Sequence, residues 1–437
     1  MTLRAFCGGM FVAAAMGLPV MGTAQPGSPL GAEADRLSAA VMPKVVDWRR
    51  DFHQNPELGN QEVRTAGIVA DHLRRLGYEV RTGVAHTGVV AVLRGGKPGK
   101  VVAIRADMDA LPVTEEVDLP FASKAKATWD GREVGVMHAC GHDAHTSILM
   151  GVAEVLAGLR AQLPGTVKLV FQPAEEGGPT DETAGAELML QQGAFDDPVP
   201  DAVFGLHVFP FTVGTVNYRA GGAMASTDAL RIVVRGKQTH GAMPWRGVDP
   251  VVVASQVVLG LQTIASRQLD VTLTPSIVTV ATIHGGVRNN IIPDSVEMTG
   301  TIRTFEEKTR DDIHRRIEAT ATSIAEASGA SAEVMIDRNY PVTTNDPALL
   351  ERMLPTLKRA AGESAVRAVP PTTTAEDFSY FAQKAPGLFL FLGVVPSNQD
   401  PAQAAPNHSP RFFVDEGALP VGVRALTQLA LDFLAKP

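Results

Sequence analysis

The segment His138-Ala139-Cys140-Gly141-His142 places a thiol and two imidazoles at alternate positions of the chain. Two adjacent carboxylates, Glu175 and Glu176, follow further along, and His207 and His408 lie later still. Cysteine, histidine and glutamate are the side chains that bind zinc and chemically similar divalent metals in proteins. These residue types therefore indicate a metal site.

Each of these residues also has a structural interpretation. A lone cysteine such as Cys140 is usually a small buried core residue. His207 could be a hydrogen-bonded structural histidine, and a pair of glutamates usually faces solvent. The case for metal therefore depends on how many such residues gather at the ends of predicted strands, and on the alternate spacing around Cys140.

Five of these side chains are more ligands than one metal ion needs. A single tetrahedral catalytic ion takes about three protein ligands and a water, so five ligands predict two divalent ions in one site. Two ions about 3.5–4 Å apart could hold a hydroxide and polarise a substrate carbonyl. We expect Mn²⁺ or Zn²⁺, with Co²⁺ or Ni²⁺ as alternatives. The predicted ligands are Cys140, His142, Glu176, His207 and His408.

The two adjacent glutamates must then have different roles. If the backbone there is extended, successive side chains point in opposite directions, and one can bind metal while the other faces the water. We assign Glu176 to metal and Glu175 to proton transfer from the water to the leaving nitrogen. Asp107 and Asp143 are expected to hydrogen-bond to the ligand imidazoles and orient them.

Short apolar runs predict the strands that must position these residues. A helix is predicted directly after the cysteine segment, at 146–159. Strands that alternate with helices predict an α/β domain with a mostly parallel sheet, and such sheets bind ligands at the carboxyl ends of their strands. The strands are predicted at 89–93, 101–106, 167–171 and 202–208.

The pattern changes at about residue 223. Strands at 230–234, 276–283, 295–303 and 332–336 alternate with helices at 250–266 and 308–327 in the ferredoxin-like order βαββαβ. The first pattern returns after residue 340, with a helix at 349–361, a strand at 388–392 and a helix at 419–434. We therefore expect a catalytic domain in two parts, 38–222 and 339–437, interrupted by a lid domain at 223–338.

Residues 1–24 predict a secretory signal peptide. Arg4 supplies a positive start, residues 5–21 are apolar, and Gly22-Thr23-Ala24 offers small residues for cleavage. The apolar run is shorter than the ~20 residues that a membrane span needs, which disfavours an uncleaved anchor, and no second stretch of that kind is expected. The mature protein is thus expected in the periplasm or outside the cell, without membrane contact. Once Cys7 is removed, Cys140 has no disulfide partner.

The composition is that of a soluble globular protein, with 45% hydrophobic and 20% charged residues in 437. This length favours two domains. The net charge of −8 argues against a nucleic-acid partner.

Taken together, the motifs resemble the M20 metallopeptidase clan, in its amidohydrolase branch of hippurate hydrolases, N-acyl-amino-acid deacylases and auxin-conjugate hydrolases. The resemblance begins at 49–58 and extends almost to the end of the chain. It is carried by residues 105–112, 138–146, 172–177, 240–244, 290–294, 376–378 and 408–410.

The resemblance implies a lid that also forms a homodimer, and it agrees with the ligands and base assigned above. It further implies that His240, Asn290 and Arg303 of the lid hold the substrate. An arginine suits a free α-carboxylate because its fork can bind both oxygens; a solvated charge is the alternative for Arg303. His240 could act on the site of the neighbouring subunit.

The function that this resemblance implies is hydrolysis of N-acyl-L-amino acids to a carboxylic acid and an amino acid. A dipeptidase or carboxypeptidase is the first alternative, since only the shape of the pocket separates a peptide from an acyl amide. The cysteine and histidine ligands favour the amidohydrolase branch, because the peptidase branches more often carry an aspartate in place of the thiolate. An inactive binding protein is the remaining alternative, and intact ligands and Glu175 disfavour it.

Overall fold

The computed structural model describes residues 28–178, 183–272 and 274–435. The predicted signal peptide lies outside the described residues. The α-helices are α1 (Gly31–Gln54), α2 (Val63–Arg75), α3 (His142–Gly158), α4 (Gly185–Gln191), α5 (Pro250–Thr263), α6 (Glu307–Ala327), α7 (Pro347–Ala361), α8 (Phe378–Ala382) and α9 (Leu419–Ala435). The strands are β1 (Glu79–Val84), β2 (Gly88–Arg94), β3 (Lys97–Asp107), β4 (Lys126–Trp129), β5 (Arg132–Gly135), β6 (Pro164–Gln172), β7 (Ala202–Thr212), β8 (Val216–Tyr218), β9 (Gly221–Met224), β10 (Asp228–Arg235), β11 (Thr239–His240), β12 (Ser276–Gly285), β13 (Ile291–Ile292), β14 (Ser295–Thr304), β15 (Ser331–Arg338), β16 (Thr343–Asn345), β17 (Val366–Ala368) and β18 (Gly387–Val395).

The larger sheet has eight strands in the order β1-β2-β6-β3-β7-β18-β8-β17. Its centre is parallel, because β3 pairs in parallel with β6 and β7, and β7 with β18. β1 and β2 add an antiparallel edge. The predicted α/β fold is therefore confirmed, as a mixed sheet with a parallel centre. The parallel pairs bring the carboxyl ends of β3, β6 and β7 to the same edge.

Both faces of this sheet are buried. In β18, Leu388 and Leu390 belong to one apolar core, whereas Phe389 and Phe391 belong to the other. Successive side chains of a strand point to opposite faces, so a continuous apolar run is what burial on both faces requires. Helices α1, α3, α7 and α9 contribute to the first core, and α4 and α8 to the second.

A second, antiparallel sheet has the order β12-β14-β10-β15. α5 and α6 pack on it around a core of their own, which gives the predicted ferredoxin-like arrangement. α5 continues into a π-helical turn, Ile264–Gln268, and so reaches as far as predicted. We call residues 228–338 the lid. The domain limits assigned from the sequence stay predictions.

The C-terminal helix is an exception to the expectation that no second stretch could span a membrane. By length and composition alone, the 20 residues Glu416–Ala435 meet that criterion, with a mean hydropathy of 1.3 in the most apolar window. In the fold, 78% of that window is buried inside the protein. A core helix of a folded domain satisfies the same criterion.

Candidate metal centre

Two of the predicted ligands flank Gly141 at the start of α3. Gly141 has a φ of 87°, which favours glycine, and a Cβ there would lie 2.3 Å from Cγ2 of Val208 in β7. His142 is the first residue of α3. The glycine therefore allows Cys140 and His142 to approach β7 closely.

The ligand atoms of the predicted residues lie in overlapping groups. Within each group, every donor atom lies within 4.8 Å of the others. The structure thus brings all five predicted ligands and Glu175 together, although they come from distant parts of the chain. The groups are Cys140, His142 and His207; Cys140, Glu176 and His408; and His142, Glu175 and Glu176.

Buried polar atoms at the centre of these groups lack hydrogen-bond partners. Nε2 of His142 and Oε1 of Glu176 are both buried without one among the described residues. Nε2 of His408 lies 2.7 Å from that Glu176 oxygen, but not in hydrogen-bonding geometry. Unsatisfied buried polar atoms are rare because they cost free energy. Divalent cations bound between these lone pairs would satisfy them, so the residues fit a metal centre.

His207 presents the lone pair of its Nε2 to this centre. Its Nδ1 lies 2.7 Å from the carbonyl oxygen of Val208, so Nδ1 carries the proton, and Nε2 faces Sγ of Cys140 at 3.3 Å. Burial and the charge of His145 lower the pKa of His207 well below its usual value. Neutral imidazole is the form that binds metal.

His207 does not lie at a strand end as predicted, because β7 continues to Thr212. The pairing of β7 with β3 stops at Gly205, whereas its pairing with β18 continues on the other side. Beyond Gly205 the edge of β7 therefore faces α3 instead of β3, and the N–H of Val208 donates to Nε2 of His145 in α3 at 2.8 Å.

The thiol of Cys140 lies among carboxylates. Burial raises its pKa well above the usual value, and the charges of Glu176 and Glu175 raise it further. No described lysine or arginine forms an ion pair with Glu176. A metal cation would supply the missing positive charge and favour the thiolate.

A C-terminal loop carries His408 to the same place. The backbone N–H of His408 donates to the carbonyl of Ala139 at 2.8 Å, and His408 has a φ of 70°. Nδ2 of the preceding Asn407 lies 3.3 Å from the carbonyl oxygen of Cys140 and 3.2 Å from that of Val208. These contacts hold the loop against the turn before α3.

Asp109, to which the sequence assigned no role, orients His142. Its Oδ1 lies 3.1 Å from Nδ1 of His142, and its Oδ2 accepts the backbone N–H of Glu176 at 2.9 Å. Burial alone would lower the pKa of His142, but Asp107 and Asp109 outweigh it and raise that pKa to about 10. A hydrogen-bonded carboxylate of this kind fixes the ring of a metal-binding histidine.

Asp107 and Asp143 have other hydrogen-bond partners. Asp107 binds Nδ1 of His145 at 2.5 Å and lies 3.8 Å from Nε2 of His142. Asp143 lies 2.8 Å from Nδ1 of His53 and 3.0 Å from Nε of Arg49 in α1. These contacts of Asp143 connect α3 to α1, and neither partner is a predicted metal ligand.

The two glutamates do not lie on extended backbone. β6 ends at Gln172, Ala174 has a φ of 48°, and Glu175 and Glu176 lie in a turn. Strand alternation is therefore the wrong reason for their different environments. The turn places the carboxylate of Glu176 beside Cys140 and His408, and it places the carboxylate of Glu175 beside Glu376 and Asp377.

The environment of Glu175 suits proton transfer. Burial raises the pKa of Glu175 well above its usual value, and the charges of Glu376 and Glu176 raise it further. A carboxylate with a raised pKa is a stronger base, which suits a group that must take up a proton and return it. The structure thus places an acid–base group directly beside the ligand cluster.

Arg105 is a further buried residue of this site, and its role was not predicted from the sequence. Its guanidinium lies 2.7 Å from Asp107, 2.9 Å from Glu376 and 3.0 Å from Asp377. Nε donates to Gln172 at the end of β6 at 2.7 Å. The guanidinium of Arg105 thus connects three segments of the chain around Glu175. Its position within the motif at 105–112 was the only signal in the sequence.

Two of the three predicted substrate residues lie together on the lid. His240 in β11 pairs with Ile291, and the N–H of the adjacent Gly241 donates to the carbonyl of Asn290 at 2.8 Å. Arg303 lies in β14 opposite Ile277. No contact among the described residues joins these side chains to the ligand cluster. Their substrate roles stay predictions.

A cavity of about 70 Å³ opens beside the cluster. Its lining includes the polar groups of Cys140, His207 and the two glutamates. The apolar residues Phe209, Met224 and Ala375 line it as well. The site can therefore hold a small apolar group beside the residues that would bind metal.

The chain is similar in sequence and fold to known proteins. Residues 103–432 match the model of Peptidase family M20/M25/M40. Thermostable carboxypeptidase 2 of Saccharolobus solfataricus is 41% identical over 400 residues, which cover 90% of this chain and 97% of that protein. N-acetyl-L-cysteine deacetylase of Bacillus subtilis is 37% identical over 391 residues, or 89% of this chain and 88% of that protein. The structure of the Bacillus subtilis YXEP protein, a dinuclear metal binding peptidase from the M20 family, matches with a TM-score of 0.75 at 34% identity, covering 91% of this chain and 100% of that chain. The chain therefore belongs to peptidase family M20/M25/M40 and is a hydrolase that acts on amide bonds.

Proposed function

We propose that this protein hydrolyses N-acyl-L-amino acids with the help of two divalent cations. Mn²⁺ or Zn²⁺ is the first choice for these cations, and Co²⁺ or Ni²⁺ is the alternative. The convergence of five metal-binding side chains with the acid–base group Glu175 supports this proposal. The proposed metal ligands are Cys140, His142, Glu176, His207 and His408.

The residues of the chain have separate tasks in this reaction. Bound cations would polarise the substrate carbonyl and lower the pKa of the attacking water. Glu175 accepts a proton from that water and donates it to the leaving nitrogen. Asp109 and the carbonyl of Val208 hold the rings of His142 and His207 by their Nδ1 atoms, so that each Nε2 faces the centre before a cation binds.

The lid supplies the proposed contacts to substrate. The guanidinium of Arg303 would bind the free α-carboxylate through its fork. Burial lowers the pKa of Arg303 from its usual value, but arginine stays protonated at neutral pH. His240 and Asn290, which are neighbours on the lid, would donate hydrogen bonds to the substrate.

A carboxypeptidase is the second candidate, because a relative that is 41% identical carries that name. Both reactions cut an amide bond and release an amino acid whose carboxylate was free in the substrate. They differ only in the acyl group that is removed from this amino acid. The apolar residues Phe209, Met224 and Ala375 in the lining of the cavity favour an apolar acyl group over a peptide. We therefore place the acyl amides first.

A substrate panel tests the proposal. Metal-reconstituted mature protein should have a higher kcat/KM for N-acetyl, N-benzoyl and indole-acyl amino acids than for blocked peptides with the same C-terminal residue. Higher values for the peptides would favour the carboxypeptidase. Glu175→Gln should retain its metal but lose about 10²-fold or more in kcat, as expected for removal of a general base. Normal turnover in that variant would contradict the assignment of the base.

We also propose a homodimer formed through the lid. β12 is an edge strand of the lid sheet, and Ile277 and Ile283 on it are exposed. Leu259 on α5 is 71% exposed. Exposed edge strands and apolar patches are common interfaces. Sedimentation analysis should show that the protein is a dimer and that Ile283→Lys weakens the dimer. A protein that is monomeric without any substitution would contradict this proposal.

Export remains a proposal that rests on residues 1–24. Expression in a bacterial host with intact residues 1–24 should yield a periplasmic or secreted protein that begins at Gln25. N-terminal sequencing checks this result, and a cytoplasmic protein that retains Met1 would contradict it.

A further inference from the structure

The peptide group between Glu175 and Glu176 is held at both ends. The carbonyl oxygen of Glu175 accepts a hydrogen bond from the hydroxyl of Tyr340 at 2.7 Å. The N–H of Glu176 donates to Oδ2 of Asp109 at 2.9 Å. Both atoms belong to one planar peptide unit. Its orientation, which sets the directions of the two side chains relative to each other, is therefore fixed by two residues.

Among the described residues, the other hydrogen bonds of this turn come from the catalytic part of the chain. The N–H of Ala174 donates to Oε1 of Glu62 at 2.9 Å, and the N–H of Gly177 donates to the carbonyl of Ala174 at 3.2 Å. Glu62 and Asp109 precede the lid in the chain, whereas Tyr340 directly follows β15, the last strand of the lid.

Tyr340 lies where the chain enters and leaves the lid. The N–H of Thr227 donates to the carbonyl of Tyr340 at 3.0 Å, and the N–H of Asn339 donates to the carbonyl of Thr227 at 3.1 Å. Arg310 of α6 donates to the carbonyls of both Asn339 and Thr227, at 3.2 and 3.4 Å. A continuous series of hydrogen bonds thus connects a lid helix to the peptide of Glu175.

We propose that Tyr340 is a positioning residue that aligns the base Glu175 from the connection to the lid. The proposal rests on the proposed function of Glu175. Without the hydroxyl, one end of the peptide group is released and the carboxylate of Glu175 loses its alignment. Glu176 stays attached to Asp109, so metal binding persists. Small displacements of a catalytic group lower rates strongly, and we expect a loss of about 10-fold in kcat.

Tyr340→Phe in the metal-reconstituted full-length mature protein tests this proposal, and Tyr380→Phe is the matched control. The rings of Tyr340 and Tyr380 are 6.2 Å apart, and the hydroxyl of Tyr380 reaches the carbonyl of Asn339 at 3.4 Å. The control therefore removes a hydroxyl from the same connection without touching the Glu175 peptide. The substrate is the panel member with the highest kcat/KM.

Tyr340→Phe should lower kcat about 10-fold with little change in KM, metal per chain or melting temperature. The solvent deuterium isotope effect on kcat should rise, because proton transfer by a misaligned base becomes more strongly rate-limiting. A fraction of misfolded protein would leave that isotope effect unchanged.

Three outcomes would overturn the proposal: a kcat within twofold of the unchanged protein, an equal loss in Tyr380→Phe, or a loss of metal in proportion to activity. Glu175→Gln is measured in parallel. Normal turnover in Glu175→Gln means that the proposed function of the base has failed. Lost turnover in Glu175→Gln with normal turnover in Tyr340→Phe means that only the role of Tyr340 has failed.

Discussion

Asp109 holds His142 by its ring and Glu176 by its backbone, with contacts of 3.1 and 2.9 Å from the two oxygens of one carboxylate. Two predicted metal ligands from different segments thus depend on a single side chain. Their relative position is set before a cation binds, which reduces the reorganisation that binding requires.

Asp109→Ala should therefore weaken metal binding more than it weakens folding. Loss of such a carboxylate typically lowers metal affinity about 10–100-fold. Competition with a chelator measures the affinity, and circular dichroism measures the folded fraction. An affinity equal to that of the unchanged protein would show that His142 and Glu176 are oriented by other contacts.

Gly141→Ala should lower both stability and metal content. The φ of 87° and the 2.3 Å approach to Val208 exclude a methyl group without backbone movement, and such strain costs about 1–3 kcal/mol of unfolding free energy. Cys140 and His142 flank the glycine, so their donors would separate.

Gly67→Ala in α2 is the matched control for that substitution. A Cβ at Gly67 would meet nothing within 4 Å, and alanine in place of glycine in a helix stabilises it by about 0.5–1 kcal/mol. Urea unfolding and elemental analysis compare the two variants. Equal stability in both would contradict the steric argument.

The lid should carry a pH-dependent contribution to stability at Asp228. Burial alone would raise the pKa of Asp228, but hydrogen bonds from His314 and Arg310 outweigh it and lower that pKa. A lowered pKa means that the stabilisation is present above the ordinary carboxyl pKa of about 3.9 and is lost as the pH falls through the folded value. Asp228→Asn should thus be less stable than the unchanged protein at pH near 7, with a difference that shrinks in acid. Urea unfolding at several pH values measures this difference, and a difference independent of pH would contradict the prediction.

Arg303→Ala should abolish the preference for substrates with a free carboxylate. The unchanged enzyme should hydrolyse an N-acyl amino acid far better than the corresponding N-acyl amino-acid amide, because a guanidinium fork binds the carboxylate by two hydrogen bonds. In the variant, KM for the carboxylate should rise about 10-fold or more, as for loss of a charged hydrogen-bonded partner. Arg303→Lys should restore only part of the preference. A variant that still discriminates fully would remove Arg303 from the substrate site.

The sequence predicted the elements well because burial on both faces leaves a direct trace in the residues. The run at 388–392 is apolar throughout since alternate side chains enter two cores. The extension of β7 to Thr212 was not predicted, because this end of the strand is only partly buried: Phe209 and Phe211 pack against the margin of the second core.

Residue type predicted the candidate ligands that the structure brings together, but it did not predict their hydrogen-bond partners. Asp143 follows His142 on the same helix, and one step along a helix turns a side chain away from its neighbour. The turn at Ala174 was equally hidden, because alanine rarely adopts a positive φ. The contact between Tyr340 and Glu175 joins residues 165 positions apart, and no local pattern predicts it.

The central position of β18 has a consequence for biosynthesis. This strand lies between β7 and β8, although it is made after the whole lid. The lid is contiguous in the chain and can fold on the ribosome from local segments, whereas the larger sheet has to wait for Gly387–Val395 to emerge. His408 emerges later still, so a nascent chain lacks the complete set of proposed cation ligands until this residue has been made.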